Sequence, residues 1–473
     1  MEEEVLVLLA LLLLGGLSVL IRRSGSSRRR APAPAPAPVL HKVSDPAVAH
    51  RLLIEADAHA GFSTRPFLPF FVELTKRRGG RRSDNLGTAP YGPHWHALRR
   101  NITAETLHPS RLGQLAPLQR EAVVDLVAAL QSGARPVENL RDHLRAAVFR
   151  VTARLCFGDG VDEGHVRAVC SQVHGFLVAI GVIFKPPFAG SSMLAKLAEW
   201  RYHGRLLAFH ARITELCLPI VAARRRREHD DDLCRPYVDT LIDLRVPEGS
   251  KDGGRRALSD HEIIDLMLEF LSAGQGSMVS CLEWTLAHLV AQPEVQETLR
   301  CEVEAEGEAA VVPDRSQQIR GMPYMHAVIL ESLHMHPPVP FALRLVKPDA
   351  VAAGDLFVQF LLGDMGRDGK PWKDPDDFRP ERFLAGGEAE GVGPLPGPKE
   401  SRMMPFGAGH RSCPGMGLSM ANIKCFLAAL VREFEWAPPT NSAVVDFTEL
   451  DGFIQTMKKP LVVRVTRHTP SSV

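Results

Sequence analysis

The stretch that decides the fold is PFGAGHRSCPGMG, from Pro405 to Gly417. Cys413 stands among its glycines, just before Pro414. Downstream, apolar residues recur at spacings of three and four, which predicts an amphipathic helix. These residues are Met416, Met420, Ile423, Leu427, Leu430, Val431 and Phe434. We expect Pro414 in the first turn of this helix and Cys413 at its N-terminus, where the helix dipole lowers the pKa of a thiol.

The glycines of this loop lead to a second expectation. Gly407, Gly409 and Gly415 let the backbone turn tightly and let a flat ligand approach it closely. An ordinary loop with a capping cysteine is the alternative interpretation of a lone cysteine. The spacing Phe406-x-x-Gly409-x-Arg411-x-Cys413-x-Gly415 favours the ligand, because it resembles the haem-thiolate loop of the cytochrome P-450 family.

The resemblance implies a set of cofactor contacts. Cys413 would be the axial ligand of the haem iron, and so the metal ligand of the chain. Arg411 would pair with a haem propionate, Phe406 would pack beside the sulfur, and Gly407 would be a further cofactor contact. The segment YGPHWHALRR adds Trp95 and Arg99, similar to the family's helix that contacts the propionates. A guanidinium group suits that position because it binds carboxylates in bidentate fashion.

Other segments match the family in the same order along the chain. FRPERF, Phe378 to Phe383, resembles the meander motif, and SAGQGSM, Ser272 to Met278, falls where the family has its oxygen-binding kink. The long apolar run His261 to Pro293 predicts a buried central helix interrupted by Gly274 and Gly276. LFVQFLL, Leu356 to Leu362, predicts a strand. The expected fold is therefore the cytochrome P-450 fold, mainly α with minor β.

Three departures from the family pattern bear on activity. The Glu-x-x-Arg pair is Glu331 and His334 here, although the meander residue Arg382 is present. His334 lies three residues after Glu331 and can still face it. The acid and threonine of the oxygen-binding helix are Gly276 and Ser277, our candidate catalytic positions, where a serine hydroxyl remains but no acid.

The third departure is length. Only 56 residues separate Pro38 from Trp95, where the family places an early helix and most of a small sheet, so we expect a shortened early sheet. A truncated or degenerate copy would explain all three departures together. A specialised active enzyme would need a separate explanation for each.

Composition sets broader bounds. The chain has 473 residues, 45% hydrophobic and 23% charged, which fits a folded globular protein. A net charge of +1 gives no overall field that would favour nucleic acid. The eight cysteines are scattered without a CxxC pair, which predicts reduced thiols in a domain facing the cytosol.

The N-terminus predicts a membrane anchor. Val5 to Ile21 is an uncharged stretch of 17 residues, which as a helix spans about 26 Å, just enough for a bilayer core. A cleaved signal peptide is the alternative, but the arginines follow the apolar run instead of preceding it. We expect an anchor at 1–21, a basic and proline-rich linker at 22–40, and a haem-thiolate catalytic domain at 41–473.

These features predict a single-pass membrane protein whose catalytic domain faces the cytosol. The anchored start and the segment YVDTLIDLRVPE, Tyr237 to Glu248, resemble a plant microsomal member of the family, which implies the endoplasmic reticulum membrane. By resemblance, it would be a monooxygenase that inserts one oxygen atom of O2 into an apolar small molecule, with electrons from an NADPH-dependent reductase. Two alternatives remain open. One is a haem-thiolate enzyme that rearranges or dehydrates a peroxide, and the other is a non-catalytic relative with impaired haem binding.

Overall fold

The structure is a computed structural model. It describes residues 39–55, 62–67, 69–80, 82–131, 136–183, 193–226, 234–248, 253–307, 321–346, 356–397, 401–440, 444–450 and 452–468. The predicted anchor and most of the predicted linker lie outside these residues. The boundaries of the three predicted regions therefore stay predictions.

Helices dominate the described chain. They are α1 (Pro46–His50), α2 (Pro69–Arg77), α3 (Pro93–Asn101), α4 (Pro109–Leu112), α5 (Ala116–Leu130), α6 (Leu140–Phe157), α7 (Glu163–Ile183), α8 (Met193–Arg226), α9 (Tyr237–Asp243), α10 (Asp260–Ala291), α11 (Pro293–Glu306), α12 (Pro323–Met335), α13 (Leu362–Gly366) and α14 (Met416–Glu433). The strands are β1 (Val39–Val43), β2 (Arg245–Pro247), β3 (Arg255–Ala257), β4 (Phe341–Val346), β5 (Leu356–Leu361), β6 (Phe434–Ala437), β7 (Glu449–Leu450), β8 (Thr456–Met457) and β9 (Arg464–Arg467). The predicted class, mainly α with minor β, is confirmed.

Helix α10 is the central element of the fold. It starts at a capping box, in which the backbone N–H of Ser259 donates to Glu262 and the N–H of Glu262 donates back to the Ser259 hydroxyl. Its first half packs into one apolar cluster, with residues of α2, α3 and α6 to α9. Its second half packs into another, with residues of α5, α6, α11, α12 and α14. One buried helix therefore belongs to both halves of the core.

The predicted interruption of this helix is wrong, because α10 runs unbroken past Gly274 and Gly276. Both glycines are instead places of close contact. A Cβ at Gly274 would come within 2.9 Å of the Thr152 side chain on α6. A Cβ at Gly276 would come within 3.2 Å of Ile454. Burial on neighbouring elements therefore outweighs the low helix propensity of glycine here.

The main sheet of the described chain has three strands in the order β1-β5-β4, with β1 parallel and β4 antiparallel to β5. The predicted strand at Leu356 to Leu362 is confirmed as β5, which ends one residue earlier. Val358 and Phe360 of β5 bury their side chains against Ala49 and Leu53. The other strands form the pairs β2–β3, β6–β9 and β7–β8.

The altered Glu-x-x-Arg position lies in a buried network. Glu331 on α12 accepts hydrogen bonds from the backbone N–H of Arg379 (2.8 Å) and from Nε of Arg382 (3.0 Å). His334 Nδ1 lies 3.2 Å from the other carboxylate oxygen, and its ring packs on Trp372 with centroids 4.0 Å apart. The expectation that His334 faces Glu331 is therefore confirmed, and Arg382 joins the same network. His334 Nε2 is buried without a hydrogen-bond partner among the described residues.

Within the described part of the chain, one segment, Trp200–Arg226 of α8, is long and apolar enough to cross a membrane by length and composition alone. The same helix packs against α7 and α10 and contributes Leu206, Ile213 and Val221 to the first-half cluster of α10. We therefore interpret it as a helix of the folded core.

Candidate active site

The cysteine loop folds back on itself before α14. Gly407 and Gly409 have φ of 71° and 66°, which explains why the sequence has glycine at both positions. The backbone N–H of Cys413 donates to the carbonyl of Phe406 at 2.8 Å, and that of Gly407 donates to Met404 at 2.8 Å. These bonds close the loop and hold Cys413 beside Phe406.

Two expectations for this loop are wrong in detail. Helix α14 begins at Met416, with Gly415 as its N-cap, so Pro414 precedes the helix instead of entering its first turn. Gly415 has φ of −89°, a value open to any residue, so its backbone does not need glycine's freedom. Its N–H donates to the sulfur of Cys413, which therefore sits just outside the helix terminus.

The predicted lowering of the thiol pKa is also reversed. Desolvation of the Cys413 sulfur is the largest influence and raises its pKa above the ordinary value. The Gly415 N–H and the nearby charges of Arg99 and Arg65 act in the opposite direction but are smaller. In this pocket, removal from water outweighs the groups that favour the thiolate.

Cys413 lines a cavity of about 480 Å³, a volume within the range usual for small-molecule sites. Its walls are mostly apolar, with side chains from α2, α7 and α10, from β4 and the segment before it, and from the turn between β7 and β8. They include Phe70, Phe176, Leu177, Ile180, Leu266, Phe270, Ala273, Val339, Phe341, Leu343, Phe453 and Ile454. Apolar side chains from distant parts of the chain therefore share one cavity with Cys413.

Guanidinium groups also line this cavity, from Arg65, Arg99, Arg344 and Arg411. Arg99 donates to the carbonyl of Ser412 at 2.8 Å, and Arg65 reaches the carbonyl of Arg411 at 3.4 Å. Both carry their charge close enough to act on the Cys413 thiol. The cavity thus combines a thiol with a concentration of positive charge.

Arg411 is only 5% exposed and donates to three backbone carbonyls. The acceptors are Ser63 (2.6 Å), Leu86 (2.7 Å) and Ala89 (2.6 Å). Its guanidinium also lies over the ring of Trp95, 4.7 Å from the centroid. The structure therefore places Arg411, Trp95 and Arg99 in the wall of the cavity that Cys413 also lines.

The candidate catalytic positions on α10 are less well placed. Ser277 lines the cavity, but its hydroxyl donates to the carbonyl of Ala273 in its own helix at 2.9 Å. Gly276 is not among the described lining residues. Atoms of Ile454 and Leu177 lie 3.2 Å and 3.7 Å from where its Cβ would stand, so the space beside this glycine is largely filled.

Sequence reasoning missed two carboxylates of the cavity. Glu269 on α10 accepts hydrogen bonds from the N–H groups of Leu86 (2.7 Å) and Gly87 (2.6 Å). Burial raises the pKa of Glu269 to about 7, against the opposing effect of those two N–H groups and of the nearby arginines Arg65 and Arg411. An acid inside an apolar helical run was the signal that could have found it.

The second missed carboxylate is Asp265, one turn earlier on α10. It accepts hydrogen bonds from Arg78 (2.5 Å), from His210 of α8 (2.8 Å) and from the Ser83 hydroxyl. Burial alone would raise the pKa of Asp265, but the bonds from His210 and Arg78 bring it below the ordinary value. Asp265 therefore ties α8 and the end of α2 to the central helix.

Comparisons with known proteins agree with this geometry. The family model for cytochrome P450 matches residues 40–464. Cytochrome P450 89A9 of Arabidopsis thaliana is 34% identical over 441 residues, covering 89% of this chain and 83% of the relative. Cytochrome P450 78A1 of Zea mays is 30% identical over 450 residues, covering 90% of this chain and 77% of the relative.

Solved structures share the fold. A zebra fish cytochrome P450 solved with progesterone superposes with a TM-score of 0.72 at 21% identity, covering 90% of this chain and 93% of that one. The retinoic acid-bound cyanobacterial CYP120A1 gives a TM-score of 0.72 at 19% identity, covering 91% and 89%. The chain therefore belongs to the cytochrome P450 family, as an oxidoreductase of the haem-thiolate monooxygenase type related to plant members.

Proposed function

We propose that Cys413 would hold a haem in this cavity through its thiolate, and would thus be the metal ligand. The remaining cofactor contacts are assigned to Arg411, Phe406, Gly407, Trp95 and Arg99. The residues present fit this group, since a thiol lines an apolar cavity that also carries several guanidinium groups, the natural partners of carboxylates. When bound, thiolate-ligated haem supplies the activation of O2 from which one oxygen atom enters the substrate.

The protein's own groups bind and orient the cofactor, and they exclude water from the cavity. Arg99 and Arg411 supply charge for the propionates, and the Gly415 N–H stabilises negative charge on the Cys413 sulfur. Ser277 is the hydroxyl proposed to pass protons into the cavity. It would have to turn its Oγ–H away from the Ala273 carbonyl to do so.

The substrate proposed is an apolar small molecule. Its recognition surface is the apolar wall of the cavity, with Phe176, Phe270 and Phe453 as the large flat contacts. Burial of such surface contributes roughly 25 cal/mol per Å². A polar or charged substrate would have to leave this wall unused.

Electrons are proposed to come from an NADPH-dependent reductase. The basic residues in and near the cysteine loop are Lys399, Arg402, Arg411 and Lys424. Of these, Arg411 and Lys424 are buried, Arg402 is half-buried, and Lys399 lies outside the described residues. A better candidate is the exposed basic group of His96, Arg100 and Arg255, which surrounds a surface pocket beside α3. An acidic partner would be attracted there, next to Arg99 and the cysteine loop.

The reductase surface has a direct test. Arg100→Glu with Arg255→Glu should raise the reductase concentration needed for half-maximal reduction, most strongly at low ionic strength. Arg167→Glu, at an exposed arginine on α7, is the matched control. Equal behaviour of the two variants would exclude the proposed surface.

We also propose residence in the endoplasmic reticulum membrane, through the apolar stretch at 1–21 with the catalytic domain facing the cytosol. Removing residues 1–30 should release the protein from microsomes while its haem content stays similar. Continued pelleting after carbonate and salt washes would contradict a single anchor.

The observation that carries the proposed function is the Cys413 sulfur at the wall of an apolar cavity beside several arginines. The test is a reduced, carbon monoxide difference spectrum of the purified protein. A Soret band at the thiolate-ligated position is expected. A band typical of histidine ligation, or no haem, would overturn the monooxygenase proposal.

A second candidate function is rearrangement or dehydration of a peroxide. The filled space at Gly276 and the inward hydrogen bond of Ser277 favour it, because that chemistry needs no protons delivered to O2. Turnover of an organic hydroperoxide without NADPH, together with no NADPH consumption in the presence of reductase, would select this alternative. A protein that binds no haem would instead be the non-catalytic relative.

A further inference from the structure

The short loop from Asn85 to Ala89 lies between the central helix and the cysteine loop, and both hold it. Its N–H groups at Leu86 and Gly87 donate to Glu269 on α10. Its carbonyls at Leu86 and Ala89 accept from Arg411. Leu86 thus bonds to both, because its N–H group donates to the central helix and its carbonyl accepts from the cysteine loop.

The contact with Glu269 is close and specific. The two N–H···O distances are 2.7 and 2.6 Å, as expected for hydrogen bonds to a carboxylate. A Cβ at position 87 would stand 2.8 Å from Oε1 of Glu269, so glycine is what allows the approach. The loop is also braced internally, because Thr88 and Asn85 exchange hydrogen bonds between their backbone N–H groups and side chains.

The residues proposed to hold the haem are called the haem seat here. The opposite side of the loop bonds to two of them, Arg411 and Trp95. The Leu86 carbonyl accepts from Nη1 of Arg411 (2.7 Å) and from Nε1 of Trp95 (3.2 Å). Any shift of Leu86 therefore moves the acceptor shared by both side chains. Arg411 and Trp95 are themselves stacked, so they would move together.

We propose that Glu269 is a positioning residue, which sets the placement of Arg411 and Trp95 at the haem seat through the loop Asn85 to Ala89. Glu269 does not act on the cofactor directly in this arrangement. Its carboxylate fixes the loop from the central helix, and the loop carbonyls fix the two side chains. This inference rests on the proposed haem seat.

The test compares holoenzymes. Glu269→Gln leaves one acceptor oxygen for two N–H donors, so one hydrogen bond to a charged group is lost. We expect faster amide hydrogen exchange at residues 86 and 87, and haem transfer to apomyoglobin accelerated on the order of tenfold. Gly87→Ala disturbs the same contact from the loop side, because the new Cβ would crowd the Glu269 carboxylate. It should change both measurements in the same direction.

Glu283→Gln is the matched control. Glu283 is another buried carboxylate of α10, which pairs with Arg141 at 2.7 Å and accepts the N–H of Leu461 at 3.1 Å. The control should lower the melting temperature at least as much as Glu269→Gln, yet leave haem transfer and exchange at residues 86 and 87 within about twofold of wild type.

The outcomes separate the possibilities. Equal acceleration of haem transfer by Glu269→Gln and Glu283→Gln would reduce the effect to general destabilisation and overturn the proposal. Faster exchange in Glu269→Gln or Gly87→Ala without faster haem transfer would show that the loop does not position the haem seat, and would also overturn it. A wild-type protein that never binds haem would contradict the proposed function itself.

Discussion

The cysteine loop and the middle of α10 line the same cavity, but they hold their polar groups differently. In the loop, Arg411 donates to three carbonyls, and the backbone N–H groups of Cys413 and Gly415 have acceptors. On α10, Gly276 has no side chain and the hydroxyl of Ser277 turns into its own helix. The cysteine loop thus has the groups proposed to hold a cofactor fixed in place, whereas positions 276 and 277 of α10 offer only one hydroxyl to deliver protons. The two tasks are therefore separable in this chain.

The strongest prediction concerns the cysteine loop. Cys413→Ala should abolish thiolate-type haem binding, because no other described cysteine lines the cavity except Cys281, which lies inside α10. The measurement is the reduced, carbon monoxide difference spectrum, with Cys281→Ala as the matched control. A wild-type spectrum from the Cys413→Ala protein would refute the assignment.

The next prediction concerns the middle of α10. The unmodified protein should be poorly coupled, with much of the oxidised NADPH yielding hydrogen peroxide, because a side-chain proton relay is typically worth about 10²–10⁴ in rate. NADPH, peroxide and product are measured together, with a substrate found by screening. Tight coupling in the unmodified protein would mean that the substrate or ordered water supplies the protons.

Restoring an acid should require making room for it. Gly276→Asp with Ser277→Thr alone would press the new side chain against Ile454 and cost about 1–3 kcal/mol of stability. Adding Ile454→Ala should relieve the contact and raise product per NADPH. The single change Ile454→Ala is the control, and an equal gain in that variant would show that cavity size, and not the acid, limits coupling.

A smaller effect is expected at the altered Glu-x-x-Arg position. His334→Arg should raise the unfolding free energy by about 1–3 kcal/mol, because His334 Nε2 is buried without a partner and a guanidinium offers more donors to Glu331. Thermal melts of both proteins measure this. An unchanged or lower midpoint for the arginine variant would mean that packing on Trp372 has adapted the site to histidine.

The smallest predicted effect is a pH dependence that comes from Glu269. Its folded pKa of about 7 is higher than the usual value for a glutamate, so the folded state binds the proton more tightly than the unfolded state. The ionised form is therefore penalised on folding, and raising the pH from 6 to 8 should cost about 1 kcal/mol of stability through this group. Unfolding titrations of wild type and Glu269→Gln at both pH values should show that difference only in wild type.

The sequence predicted those features that depend on local spacing. Two short motifs, through their resemblance to the family, named Arg411, Trp95 and Arg99, which the fold brings to one cavity, and the β5 strand followed from its short apolar run. The start of α14 was misplaced by two residues, because the N–H of Gly415 bonds to the Cys413 sulfur and holds that residue outside the helix. The sign of the Cys413 pKa shift was missed because burial depends on the whole fold.

Glu269 and Arg65 were missed for a related reason. Their partners lie far away in sequence, since Glu269 bonds Leu86 and Arg65 approaches the cysteine loop. No local pattern encodes such a pairing. Gly276 is a similar case, because the residue that fills the space beside it, Ile454, comes from a turn far along the chain.

The unbroken course of α10 has a consequence for how the molecule opens. The helix is about 48 Å long at the usual rise per residue, and it supplies side chains to both large apolar clusters. Neither cluster can lose its packing without exposing one half of this helix to water. Unfolding of the two halves should therefore be cooperative, and amide hydrogens near the middle of the helix, from Leu271 to Leu282, should be among the last to exchange under native conditions.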